Sequence, residues 1–393
     1  MDWGLIVDLT LKAFLGLDAV YYIVAALGMN VQFGYAGLLN FGQAAFMAAG
    51  AYGLGMSVSY FGYSWWLGLL IGGIYAAVLA VIVGVPTLRL RADYLAIVTI
   101  AMAEMIRLIV RSVTHKDKFG GTDGLKGFAE GFQKLNPFEA GTVYGIGPFQ
   151  ASSVAVTVVL LVLYGLISFG IGYAIARKRK ASKIVPTTLV AGAVMMAVTL
   201  LITSRVKYLG SELWVLLVGW VLVAIFSLFV YMLMRSPWGR VIKGIREDED
   251  AVRSLGKNVF GYKMSALVIG AVLGMFSGVL FALKNSNVQP DNYSRAVTFY
   301  IMTALVLGGL ATVTGSIVGP MLFWALLAFT DVFLSELSDA QGRVEIFGIE
   351  LLKDSSARGQ FRLGMVGLGL ILLMVFRPQG IFGNRKEMAL DGR

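Results

Sequence analysis

Leu213-Trp-Val-Leu-Leu-Val-Gly-Trp-Val-Leu-Val-Ala-Ile-Phe-Ser-Leu-Phe-Val-Tyr-Met-Leu-Met234 contains no charged residue over 22 positions. At 1.5 Å per residue such a run makes a helix of about 33 Å, enough to cross the hydrocarbon core of a bilayer. Working outward, similar apolar runs recur near Leu17–Phe33, Asn40–Tyr60, Trp65–Val85, Tyr94–Val113, Val154–Ala176 and Val185–Ser204. Beyond it lie Met264–Leu283, Val297–Ala311, Ile317–Leu334 and Phe361–Phe376. The expected fold is all-α: one polytopic transmembrane helix bundle over residues 1–393, with about eleven spans. The Val297 span is short, and Gly308-Gly309, Gly315 and Gly319 follow its core, so a broken or re-entrant pair is expected there.

Composition agrees. The chain is 58% hydrophobic and 14% charged, with mean hydropathy +0.77, more apolar surface than a water-soluble core could hide. Its 48 glycines suit close helix packing and broken helices in lipid. The net charge of +10 is read as orientation-setting and not as a nucleic-acid footprint. Cysteine is absent, and the single histidine, His115, stands beside Lys116 and Asp117. Thiolate chemistry, a zinc cluster and a histidine-based triad are therefore not assembled, and no metal, cofactor or catalytic set is expected. Asp2 and Asp8 in the first residues do not read as a basic secretory leader. Trp65, Trp66, Trp214 and Trp238 sit at span ends, where an interfacial belt is the default reading.

The cations set an orientation. Arg89, Arg91, Arg177-Lys178-Arg179-Lys180, Lys183, the Arg235–Lys263 loop, Arg377, Arg385, Lys386 and Arg393 fall on one side if the spans alternate, and that side is expected to be cytoplasmic. The N-terminus is then outside and the C-terminus inside.

The charged stretch Ser236–Val259 reads either as an ordinary orientation-setting loop or, from its length and patterning, as a docking element. It is basic at Arg240, Lys243 and Arg246, then carries Glu247, Asp248, Glu249 and Asp250, and closes at Gly256 as a helix C-terminus does. Val241, Ile245, Val252 and Leu255 give it a partly apolar face, and the whole is expected to dock a cytosolic partner.

Polar residues inside the spans are the other candidates. Glu104 lies eleven positions after Asp93, roughly 16 Å along a helix, which places it near mid-membrane. Arg107 and Arg111 share its face, so either an internal ion pair or a gating or substrate-contacting role follows. Asn30, Gln32, Asn40 and Gln43 bracket the Gly34–Gly37 turn, either satisfying backbone freed at a helix break or lining the pathway.

These blocks carry a resemblance over most of the chain. Ala26-Leu-Gly-Met-Asn-Val-Gln-Phe-Gly-Tyr-Ala-Gly-Leu-Leu-Asn-Phe-Gly-Gln-Ala-Ala-Phe46, Leu88–Thr99, Gly120-Gly-Thr-Asp-Gly-Leu125, Ser236-Pro-Trp-Gly-Arg240 with Ile245–Glu249, and Phe376–Phe382 resemble, in order, the LivM-type permeases of branched-chain amino acid ABC importers. The resemblance implies a non-catalytic permease subunit in a bacterial or archaeal inner membrane. Its implied partners are two cytosolic ATPase subunits, a second, LivH-type permease and an extracytoplasmic substrate-binding protein. Independently, no Gly-x-x-x-x-Gly-Lys-Ser/Thr loop occurs, so an ATP site would lie on another chain. Residues 236–259 resemble the ABC coupling motif Glu-Ala-Ala…Gly, with Asp250-Ala251-Val252 and Gly256 in its place. Arg246, Glu247, Asp248, Glu249, Asp250, Ala251 and Gly256 are the implied coupling residues. Asn30, Gln32, Gly34, Gly37, Asn40, Gln43 and Glu104 are the pathway or helix-break candidates. Relative to that family, residues 154–204 read as an extra transmembrane hairpin of unknown role. A urea or short-chain amide permease, or an ion-coupled carrier using Glu104, is the alternative function.

Overall fold

The computed structural model describes residues 2–89, 92–112, 114, 116–138, 141–145, 207–341, 345–346, 349–350, 355–377 and 380–383. The hairpin expected over 154–204 and His115 lie outside the described residues. Helices follow one another almost without strand: α1 (Trp3–Leu15), α2 (Leu17–Met29), α3 (Gln43–Ser59), α4 (Trp65–Thr87), α5 (Ala92–Arg111), and the single turns α6 (Lys116–Phe119) and α7 (Glu130–Gln133). Then come α8 (Gly210–Arg235), α9 (Pro237–Glu247), α10 (Glu249–Ser254), α11 (Val259–Asn285), α12 (Arg295–Gly308), α13 (Val313–Gln341) and α14 (Ser355–Phe376). This is the all-α polytopic bundle expected from the apolar runs. Five stretches among the described residues are long and apolar enough to cross a membrane: Trp3–Tyr35, Trp65–Thr87, Gly210–Arg235, Val259–Asn285 and Val313–Glu336. Every other expected segment on described residues also coincides with a helix, α3, α5, α12 and α14 being shorter or more polar. Helix α1 was not expected; Asp8 and Lys12 break its apolar run below spanning length without opposing helix formation.

The described residues divide into two units. One comprises Met1–Lys12 and Asn136–Trp214. In it β1 (Val143–Gly145) pairs antiparallel with β2 (Lys207–Leu209), Gly145 opposite Lys207, and the Tyr208 hydroxyl donates to the Lys12 carbonyl.

The other unit, Ala13–Leu135 with Val215–Arg393, holds the main bundle. Helix α11 is its axis, packed on α2, α3 and α4. At Gly278 the approach of α11 to the Met47 carbonyl leaves no room for a methyl group, the small-residue packing that brings helices together in lipid. Two helix breaks interrupt this unit. After α2 the backbone winds as a π-helix over Asn30–Tyr35 and then leaves helical geometry at Gly37, where φ is +68°. Between α12 and α13, Gly309 (φ +116°) and Ala311 (φ +57°) make the second break, at the glycine-rich position read as broken from sequence.

Candidate functional site

The coupling segment is two helices and not the single helix-like run expected. Ser236 caps α9, its Oγ accepting from the Gly239 N–H at 3.4 Å, with Pro237 in the first turn where a missing N–H costs nothing. Asp248, in extended geometry (φ −154°), ends α9 and starts α10, its Oδ1 accepting from the Ala251 N–H at 2.9 Å. A short acidic side chain at this point competes for backbone N–H groups and so breaks the run. Gly256, past the end of α10, has φ +73° with open space around it, the left-handed closing residue expected.

The segment's apolar face also divides. Ile242 and Ile245 of α9 are fully buried, whereas Leu255 is 77% exposed. Of the implied coupling residues, Glu247, Asp248, Asp250, Ala251 and Gly256 are on the exposed side. Arg246 and Glu249 point inward. An Arg246 Nη1 donates to the Gly34 carbonyl of the π-helix, and Gly37 lies over its side chain so closely that a Cβ there would sit 3.2 Å from Arg246 Cγ. The Lys243 ammonium lies 5.5 Å from the centre of the Tyr35 ring. Glu249 pairs with Lys263 of α11 and with Arg253 at 2.8 Å, and Arg253 also reaches Asp250 at 2.8 Å. Trp238 donates its indole N–H to Ser265 Oγ at 3.0 Å and pins α9 to α11.

The amide residues around the first break form a buried girdle. The Asn30 amide bridges the two breaks: Nδ2 donates to the Thr312 carbonyl at 3.1 Å and Oδ1 accepts from the Ala311 N–H at 2.9 Å. Gln32 donates to the Leu267 carbonyl of α11 at 2.9 Å and accepts from Asn40 Nδ2 at 2.7 Å. Asn40 Oδ1 accepts from the Gly42 N–H at 2.8 Å, and Gln43 Nε2 donates to the Gly270 carbonyl at 3.2 Å. Asn30, Gln32 and Gln43 are completely buried. Asn30 and Asn40 satisfy backbone groups at or beside the breaks, whereas Gln32 and Gln43 tie the first break to carbonyls within the continuous α11. Thr99 and Thr298 join them, donating no sequence signal beyond their polarity: their hydroxyls accept from the Phe41 and Ala44 N–H groups.

Glu104 is paired, as the internal ion pair predicts. Arg107 grips both its oxygens, at 2.6 and 3.2 Å, and also reaches Asp291, in the turn between α11 and α12. Arg111 adds a 3.5 Å contact to the same aspartate. Asp291 had no motif to announce it. Its side chain is 46% exposed and that of Glu104 is 27% exposed, and Asp291 ties the network to the connecting turn. That turn follows the far end of the 27-residue α11 from the coupling segment, about 40 Å away along the helix.

The description "Branched-chain amino acid transport system / permease component" belongs to the family whose pattern matches residues 13–349. The chain belongs to this family. It is similar to the high-affinity branched-chain amino acid transport system permease protein LivM of Escherichia coli, 27% identical over 362 residues, covering 92% of this chain and 67% of that one. A probable LivM of Methanocaldococcus jannaschii is 23% identical over 388 residues, covering 93% and 91%. An autoinducer 2 import system permease protein LsrC of Photorhabdus laumondii is 24% identical over 173 residues, 43% of this chain and 47% of that one. No solved structure matches. Family and helices together make this LivM-type permease a multi-pass membrane protein and a subunit of an ABC-type importer.

Proposed function

We propose that this permease carries branched-chain or related aliphatic amino acids inward, driven by ATP hydrolysed on two cytosolic ATPase subunits. A LivH-type sister permease and an extracytoplasmic binding protein would complete the assembly. The coupling segment faces the cytoplasm, with the C-terminus on the same side and the N-terminus opposite. The observation that carries the reading is the contact of Arg246 with Gly34. One face of the coupling segment, with Leu255, Glu247 and Asp250, is open for a moving partner, and the other face holds the broken helix directly. A push on α9 and α10 therefore reaches the backbone at the break without an intermediate, and the two breaks move together through Asn30. Residues 154–204 would be an accessory insert, and the positions flanking them, Gly145 and Lys207, pair with each other.

The test is uptake of labelled leucine into vesicles holding the chain with its partners. ATP on the coupling side and the binding protein on the other should both be required, and collapsing proton and sodium gradients should change nothing. Leu255→Asp should abolish ATPase association, while Arg246→Ala should keep the ATPases bound but lose transport together with binding-protein-stimulated ATP hydrolysis. Accumulation driven by an ion gradient without any ATPase would overturn the reading, and preferential uptake of urea over leucine would overturn its substrate.

A further inference from the structure

Beneath the first break, between the coupling segment and the ends of α4, α5 and α11, the structure holds a cavity of about 300 Å³. Part of its lining is aliphatic: Leu38, Leu88, Leu95 and Ile245. The lining also carries both signs of charge, Arg246 and Lys263 with Glu249. Resting on the function proposed above, we propose that this cavity binds a free aliphatic amino acid from the coupling-segment side and that its occupation slows transport.

Size and chemistry select that ligand. The volume is at the small end of ligand pockets, roughly 300–1,000 Å³, too little for a nucleotide. The Lys263–Glu249 pair is only partly screened, with side chains 15% and 37% exposed. A zwitterion inserts into such a pair without changing its net charge: its ammonium takes Glu249 and its carboxylate takes Lys263 and Arg246. A simple anion would meet Glu249 at close range, and a simple cation would meet Lys263 and Arg246. The branched side chain then lies against the four aliphatic residues. A carboxylate on Arg246 competes with the Gly34 carbonyl for the guanidinium, so the bound amino acid loosens the link through which the coupling segment holds the break. Transport would then slow as product builds up on the delivery side.

The experiment uses the complete transporter in vesicles with the coupling face outward and the binding protein and leucine trapped inside, reading ATP hydrolysis in the bath. Leucine added to the bath at about ten times its Kd fills roughly nine-tenths of the sites and should lower the stimulated rate severalfold. The probes 4-methylpentanoate, lacking the ammonium, and 3-methylbutylamine, lacking the carboxylate, should not lower it. Leu88→Trp, which fills the cavity from the aliphatic side, should hydrolyse ATP at the normal stimulated rate and ignore bath leucine. No effect of bath leucine on the wild type, equal inhibition by 4-methylpentanoate, or full inhibition of Leu88→Trp would each overturn the proposal. Absence of any stimulated hydrolysis before leucine is added would instead count against the transport function. If Leu88→Trp does not fold, the three probes on the wild type still decide.

Discussion

The girdle around Asn30, Gln32, Asn40 and Gln43 and the network around Glu104, Arg107 and Asp291 are both polar groups set among apolar helices, yet they are built from different chemistry. The girdle is neutral, buried and aimed mostly at backbone, with the Gln43 Oε1 left without a partner. The network is charged, partly exposed and aimed at other side chains. Burying a neutral amide costs little once each donor and acceptor is matched, whereas a buried charge keeps a desolvation cost even when paired. The difference teaches where each is affordable in this bundle: amides at the breaks, guanidinium and carboxylate towards the connecting turn.

Breaking the girdle should have the largest effect. In Asn30→Leu the Thr312 carbonyl keeps the N–H and hydroxyl of Ser316, but the Ala311 N–H, on a residue with φ +57°, loses its acceptor. A loss of about 2–3 kcal/mol is expected, from the lost bonds and one orphaned donor, read as a lower unfolding temperature in detergent. An unchanged temperature would erase the distinction between the two regions.

A smaller and asymmetric effect is expected in the network. Arg107→Met leaves Glu104 without its paired cation and Asp291 with only the 3.5 Å contact of Arg111, and should cost about 1–2 kcal/mol, discounted for exposure. Glu104→Gln leaves Arg107 its contact with Asp291 and should cost less than about 1 kcal/mol. The reverse order in thermal unfolding would mean that Glu104, and not Arg107, organises the cluster. Glu104→Gln should also retain ATP-driven leucine uptake; a stable but inactive variant would give Glu104 a place in the pathway.

The smallest effect lies outside the spans, where an ion pair has only water around it. Lys116 and Asp123 meet at 2.8 Å with both side chains more than half exposed, and the hydrogen bond from Lys116 holds the Asp123 carboxyl below its ordinary value while Asp123 raises the Lys116 ammonium. With the folded aspartate depressed, its contribution is present above the unfolded carboxylate's pKa and fades as pH falls through the lowered folded value. The stability difference between wild type and Lys116→Met should therefore shrink on acidification through that range. A difference independent of pH would show that the pair adds nothing.

Much of this was legible because lipid imposes length: uncharged runs such as Leu213–Met234 announce spans, and glycine pairs such as Gly308-Gly309 announce breaks. The amides at 30, 32 and 43 were legible as residues of a break but not by their bonding pattern, since their partners lie in the second break and on α11, over two hundred residues away. Asp291 was illegible for the same reason: it acquires meaning only from Arg107, 184 residues away in sequence. The split at Asp248 was hidden by its own neighbours, because four consecutive acidic residues read as one solvated face and mask the one that caps.

The π-helical turn at Asn30–Tyr35 has a mechanical meaning of its own. Hydrogen bonds from i to i+5 accommodate more chain per turn than an α-helix does, so the segment carries slack. Taking up one residue of that slack would rotate everything beyond it by about 100° and advance it by about 1.5 Å, with most of the hydrogen bonds exchanged and few lost. Arg246 holds the chain at Gly34, inside the slack itself. The coupling segment thus has its grip where the smallest force produces a turn of the screw.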